Sequence, residues 1–190
     1  MSRITDTTWS IKERLLYDPI VKGYDTSFFK TLSGTPTISG GNIRLSSATI
    51  ISYTQYLYGD FRFLINIPTS PSEGEDKQWG LRHAATLRGS MVFDITGDVF
   101  TFQTTDKNSN ATTTTITWDT HGETWAGGMV EYRIVWNERY IKAYVSNELV
   151  ANHPGGYYDF PEPLYINNQA DQDNVDIDYI VANQLGNLTT

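Results

Sequence analysis

Apolar and polar residues alternate with a period of two along most of this chain. In YGDFRFLINIP (58–68), Phe61, Phe63, Ile65 and Ile67 fall on one face and Asp60, Arg62 and Asn66 on the other. That is the pattern of a strand with one buried side. MVFDITGDVFTFQTT (91–105) repeats it, with Phe93 and Ile95 alternating with Asp94 and Thr96. VEYRIVWNERYIKAYVSNELVANHP (130–154) predicts two or three short strands joined by tight turns. Within it Ser146-Asn147 sits where a hairpin must reverse, and Asn tolerates the left-handed backbone that such turns need.

The closing stretch DQDNVDIDYIVANQL (171–185) alternates too, and it packs Asp171, Asp173, Asp176 and Asp178 close together. Strict alternation puts Asp176 and Asp178 on one face, with Val175, Ile177 and Tyr179 on the other. Many such segments, separated by Gly, Pro, Asn and Asp clusters, predict an all-β, two-sheet antiparallel jelly-roll sandwich. A short helix is expected only around Trp9–Leu16. The acidic PTSPSEGEDKQ (68–78), DTHGETWAGG (119–128) and HPGGYYDFPEP (153–163) read as surface loops. Residues 1–25 are more polar and irregular and are expected to form an N-terminal arm, with residues 26–190 as the single sandwich domain.

Composition agrees with this reading. Aromatic residues make up 13% of the 190, charged residues only 19%, and there are 15 Gly and 7 Pro, a balance that suits strands and turns. The formal charge of −8, with 14 scattered Lys and Arg, argues against a nucleic-acid partner, because phosphate binding needs a basic patch. There is no Cys, so neither disulfides nor thiolate metal sites contribute. No stretch approaches a membrane span of about 20 apolar residues. The N-terminus lacks the apolar core of a secretory signal, and a cytoplasmic or virion-associated product is expected.

Several stretches, in order, resemble the concanavalin A-like lectin/glucanase superfamily, in particular glycoside hydrolase family 16. GNIRLSSATIISYTQYLYGDFRFLINIP (41–68) resembles a family segment that leads through a Tyr-Gly-x-Phe pair, here Tyr58-Gly59-Asp60-Phe61, into a long strand. YRIVWNERYIKAYVSNELV (132–150) is similar to the family's Tyr-x-Ile-x-Trp and Ile-x-x-Tyr-Val succession. PLYINNQ (163–169) and VDIDYIVANQ (175–184) resemble its last two strands. The resemblance implies a concanavalin A-like sandwich. The family's activity rests on a Glu-x-Asp-x-Glu strand whose outer carboxylates, about 5–5.5 Å apart in retaining enzymes, act as nucleophile and acid. Matching Asp94 to the central Asp puts Val92 and Thr96 where the two Glu belong. The alternative register uses Asp94, Thr96 and Asp98. Neither restores the motif, so the chain is expected not to be an enzyme, with a divergent hydrolase using Asp94 and Asp98 as the alternative. The runs typical of polysaccharide lyases on the same fold are missing.

Candidate binding residues follow from the chemistry of sugars, whose apolar faces stack on aromatic rings while side-chain amides, carboxylates and guanidinium groups hold their hydroxyls. Trp79 begins WGLRHAATLRG, where core and ligand roles are both open. Arg82 and Arg88 could grip hydroxyls or a carboxylate, or pair with Asp94 or Asp98 on an adjacent strand. Trp125, Tyr157 and Tyr158 lie in Gly-rich loops, where they fit a saccharide rim or a protein contact equally. Asp171 and Asp173 fail the EF-hand spacing. They stay candidates for a structural calcium, the alternative being an acidic turn before a solvated strand face. The three His (83, 121 and 153) have no zinc-ligand spacing. Together these readings lead us to expect a non-catalytic protein that binds a glycan, or neighbouring subunits in a homo-oligomer or a virion or surface assembly of decoration or tail type.

Overall fold

A computed structural model describes residues 10–18, 23–67, 76–83, 89–97, 99–106, 108–117, 128–155, 161–169 and 174–186. Its strands are numbered in chain order. One sheet has eight strands. Its path runs β13 (Glu148–Pro154), β12 (Tyr140–Val145), β11 (Met129–Trp136), β6 (Gly59–Asn66), β15 (Val175–Gly186), β4 (Asn42–Leu45) and β3 (Thr37–Ser39), and β1 (Ser10–Tyr17) also pairs with β15. The second sheet has seven, in the order β10 (Ala111–Ile116), β9 (Val99–Thr105), β8 (Ser90–Thr96), β7 (Asp76–Leu81), β14 (Glu162–Asn168), β5 (Ala48–Tyr56) and β2 (Phe29–Ser33). Every neighbouring pair is antiparallel, as in β11 with β6 and β7 with β8. This is the expected jelly-roll sandwich.

The inner faces interlock through aromatic side chains. Phe61, Phe63 and Ile65 of β6 and Tyr132, Ile134 and Trp136 of β11 are fully buried. Opposite them, Trp79 stacks on Phe93 at 5.7 Å and meets the Tyr132 ring edge-on at 4.7 Å, which ties the two sheets together. Offset and edge-on aromatic pairs contribute about 0.5–1.5 kcal/mol each beyond the area they bury.

Two local expectations are corrected. The segment Ser10–Tyr17 is a strand, not a helix, and pairs with β15 from Ser10 opposite Gly186 to Tyr17 opposite Ile180. Long-range backbone pairing outweighs the small helix propensities of so short a segment. The alternation of the closing strand is also interrupted. A bulge between Ile177 and Tyr179 shifts the pairing with β6. The extra residue turns Tyr179 outward, where its hydroxyl donates to Glu131 at 2.7 Å. The hairpin expected at Ser146-Asn147 is present, with φ of 48° and 69°, the left-handed pair that a two-residue turn requires.

The outer face of the eight-stranded sheet is a network of matched charges. Arg133 holds Asp60 with two bonds of 2.7 Å, Arg62 adds a third at 3.3 Å, and Arg44 holds Asp176 at 2.7 and 2.9 Å. Burial pushes the Asp60 carboxyl up, but the two arginines outweigh it and hold the carboxyl below its ordinary value. Asp176 is therefore one half of an ion pair on the closing strand. Among the described residues no group of three or more His, Asp or Glu could hold a metal ion. The calcium candidates Asp171 and Asp173 lie outside the described residues.

Candidate functional site

The outer face of the seven-stranded sheet has a different character. Alternation on β8 sends Met91, Phe93 and Ile95 into the core and Val92, Asp94 and Thr96 outward. The register of the six strand pairings then carries this face across the whole sheet. Ser33 lies opposite Thr49, Thr49 opposite Asn167, Asn167 opposite Gln78, Gln78 opposite Asp94, Asp94 opposite Thr101, and Thr101 opposite Thr115. The result is one transverse row made entirely of hydroxyl, amide and carboxylate side chains, in which Thr49 and Asn167 are buried and the others reach solvent.

The row is internally hydrogen-bonded. Ser33 donates to Thr49 at 3.0 Å, and Thr49 donates to the Asn167 amide oxygen at 2.6 Å. The Gln78 amide donates to Asp94 at 2.6 Å, and Thr96 donates to the other oxygen of the same carboxylate at 2.8 Å. Arg82 donates to the Gln78 amide oxygen. Such cross-strand bonds fix side-chain directions, so the donors and acceptors are aimed before any ligand arrives.

In the next row Lys30 and Ile51 reach solvent, while Tyr165, Gly80 and Val92 are buried. Lys30 faces Ile51, Ile51 faces Tyr165, Tyr165 faces Gly80, and Gly80 faces Val92. The Arg82 guanidinium lies over the Tyr165 ring, 5.1 Å from its centroid. Burial pushes the Tyr165 phenol up, opposed by Arg82 and reinforced by Asp94. Gly80 has φ of +148°, and a Cβ there would run into the Met91 carbonyl, so only glycine lets β7 and β8 approach this closely. Beside this row a pocket of about 570 Å³ opens, lined in part by Lys30, Leu32, Ile51, Tyr53, Gln55 and His83. Tyr53 is 60% exposed.

The expected site residues divide between these surroundings. Asp94 and Arg82 lie on the outer face and communicate through Gln78; among the described residues they form no direct ion pair. Trp79 is not a ligand residue: it is fully buried, and its ring is enclosed by Phe93, Phe100 and Tyr132. Arg88, Asp98, Trp125, Tyr157 and Tyr158 lie outside the described residues. Gln78, Tyr165, Asn167 and Tyr53 were not anticipated. Period-two spacing alone would have put Gln78 on one face with Gly80 and Arg82, but only strand order brings Tyr165 and Asn167 beside it.

No protein-family model matches the sequence, and neither does any curated protein. Solved structures do match. A Bacillus licheniformis β-glucanase superposes with a TM-score of 0.75 at 13% identity, over 92% of this chain and all of that one. A laminarinase from Flavobacterium sp. UMI-01 gives 0.71 at 16%, over 90% and 99%. A Crh5 transglycosylase gives 0.71 at 11%, over 93% and 86%. The chain has the concanavalin A-like fold of these family 16-type enzymes. This corrects one expectation. Loss of the Glu-x-Asp-x-Glu pattern does not by itself make this chain a non-enzyme, because the structures that match it are glucanases and transglycosylases.

Proposed function

We propose that the outer face of the seven-stranded sheet binds a carbohydrate chain laid across the strands. The observation that carries this reading is the solvent-reached part of the transverse row, Gln78, Asp94, Thr101 and Thr115, with the Tyr53 pocket alongside it. Hydroxyls, an amide and one carboxylate match the donors and acceptors of sugar hydroxyls, and the exposed Tyr53 ring offers surface to C–H groups. The glycan-acting names of the matching solved structures support the same partner class. Binding measured by calorimetry against a panel of oligosaccharides, with loss of heat in Gln78→Ala, tests it. A panel that gives no heat with the intact chain overturns it.

A second reading, turnover of the bound glycan, is favoured by the position of Asp94. It stands mid-row in the outward triplet Val92, Asp94 and Thr96, its carboxylate fixed by Gln78 and Thr96. A carboxylate so placed can stabilise the positive charge that builds at an anomeric carbon. Reducing-sugar release that disappears in Asp94→Asn supports turnover. Binding without release in the intact chain rejects it.

A further inference from the structure

An edge strand presents unpaired backbone donors and acceptors to any other strand that approaches it. Among the described residues, the edges of the two sheets are β13, β3, β1, β10 and β2. Most of them carry a feature that discourages pairing. β13 is bulged against β12, begins at Glu148 and ends at Pro154. β1 is bulged as well and contains Lys12, Glu13 and Arg14. β3 has only three residues, and β2 has a bulge and carries Lys30. Short length, bulges, charge and proline each frustrate the addition of another strand.

β10 has none of these features. Ala111–Ile116 reads ATTTTI, with no charge, proline or glycine. It keeps an unbroken register against β9, from Ala111 opposite Thr105 to Ile116 opposite Phe100. Ala111, Thr112, Thr113 and Thr115 are exposed, so their side chains stand open to solvent. From Thr112 to Ile116 every residue is β-branched, the type that strands favour.

A second copy of the strand is a fitting occupant of this edge. Two identical strands pair antiparallel about a twofold axis perpendicular to the sheet, and the contact closes on itself. Because β10 is uncharged, the pairing brings no like charges face to face in a chain of formal charge −8. Threonines meet threonines across the seam instead, a favourable cross-strand pair. Such an axis also keeps the outer faces of both seven-stranded sheets on the same side. The transverse polar row, which reaches the edge at Thr115, then continues into the row of the second copy. β10 offers no charge or large side chain by which to select a foreign sequence.

We infer that β10 is a homodimer seam, where two copies join edge to edge into one continuous antiparallel sheet. The seam needs no ligand, so this stands apart from the glycan reading. With only six residues in the strand the buried area is small, and the pair is weak and concentration-dependent.

Sedimentation equilibrium of the full chain tests it. Between about 10 µM and about 1 mM the apparent mass is expected to climb toward twice that of the monomer. Raising salt from about 0.05 to about 0.5 M should strengthen the pairing, because it screens the repulsion between two acidic copies. Thr113→Lys should leave a monomer even though it lowers the net negative charge, and Thr113→Val should keep the dimer. In the intact chain, backbone amide exchange within 111–116 should slow as concentration rises, which decides the matter should the variants fold poorly. A monomer at every concentration overturns the seam and leaves the edge to an extended peptide of another protein. Growth beyond a dimer, a dimer untouched by Thr113→Lys, or amide exchange that ignores concentration overturns it as well.

Discussion

Gln78 and Asp94 face each other across β7 and β8, with the Gln78 amide nitrogen 2.6 Å from the Asp94 carboxylate and the amide oxygen accepting from Arg82. One neutral side chain thus links a cation to an anion that do not touch. The arrangement holds both in place while leaving each only partly neutralised, which suits a surface that has to meet polar groups of a ligand.

Gln78→Ala breaks both bonds. With Asp94 and Arg82 no longer held in place for the ligand, glycan affinity is expected to fall by roughly tenfold or more. Gln78 is only half-buried, and the melting temperature should move little. Calorimetry paired with thermal melts separates the two effects. A large drop in melting temperature with unchanged affinity would assign Gln78 to stability alone.

Gly80→Ala places a Cβ against the Met91 carbonyl at a φ of +148°. Neither backbone can yield without breaking the β7–β8 ladder at the middle of the sheet, so destabilisation of about 3 kcal/mol or more is expected. Urea unfolding measures it. A cost below about 1 kcal/mol would show that the two strands can separate here.

Glu162 is buried at the start of β14, where a Cβ on Gly89 would come within 2.5 Å of its carboxylate. Burial raises its pKa from 4.5 to about 8, opposed in part by a bond from the His83 backbone. The folded state therefore holds this proton more tightly than the unfolded state. Its contribution to stability is full below pH 4.5 and lost as pH rises to about 8. The loss is on the order of a few kcal/mol, at about 1.4 kcal/mol per pKa unit. Urea unfolding at pH 5, 7 and 9 should show the decline in the intact chain and its absence in Glu162→Gln. Parallel pH profiles for the two proteins would refute this.

His153 joins the edges of the two sheets. Its ring nitrogens lie 3.0 Å from the Thr104 hydroxyl and 2.8 Å from the Thr114 hydroxyl. Burial lowers its pKa from 6.5, so the folded state favours the neutral ring, one nitrogen donating and the other accepting. Stability from this site is full above pH 6.5 and falls on acidification toward the folded pKa, as the unfolded state takes up the proton first. In His153→Gln that acid-side slope is expected to vanish although absolute stability drops. NMR titration of the imidazole reads the pKa directly, and a value at or above 6.5 would refute the assignment.

The sandwich was legible in the chain because strand formation with one buried face writes itself locally, as alternation. Phe61, Phe63 and Ile65 announced β6, Val92, Asp94 and Thr96 announced the outward face of β8, and Ser146-Asn147 announced its hairpin. The exceptions were also physical. Ser10–Tyr17 carries too weak a local preference to reveal that β15 supplies its partner. The bulge at Ile177–Tyr179 leaves no local mark, since it depends on how β15 pairs with β1, β4 and β6, strands distant from it in sequence.

The candidate site was decided elsewhere. Alternation placed Asp94 and Arg82 on outward faces, but it could not place Trp79, whose enclosure by Phe100 and Tyr132 depends on how the two sheets meet. Nor could it gather Ser33, Thr49, Asn167, Gln78 and Asp94 into one row, because that row joins five strands far apart in sequence. By itself the sequence determined which face of each strand turns to water, a property of neighbouring residues. Tertiary structure alone decided which of those faces lie side by side, because strand order is set by burial of the whole core and not by any single segment.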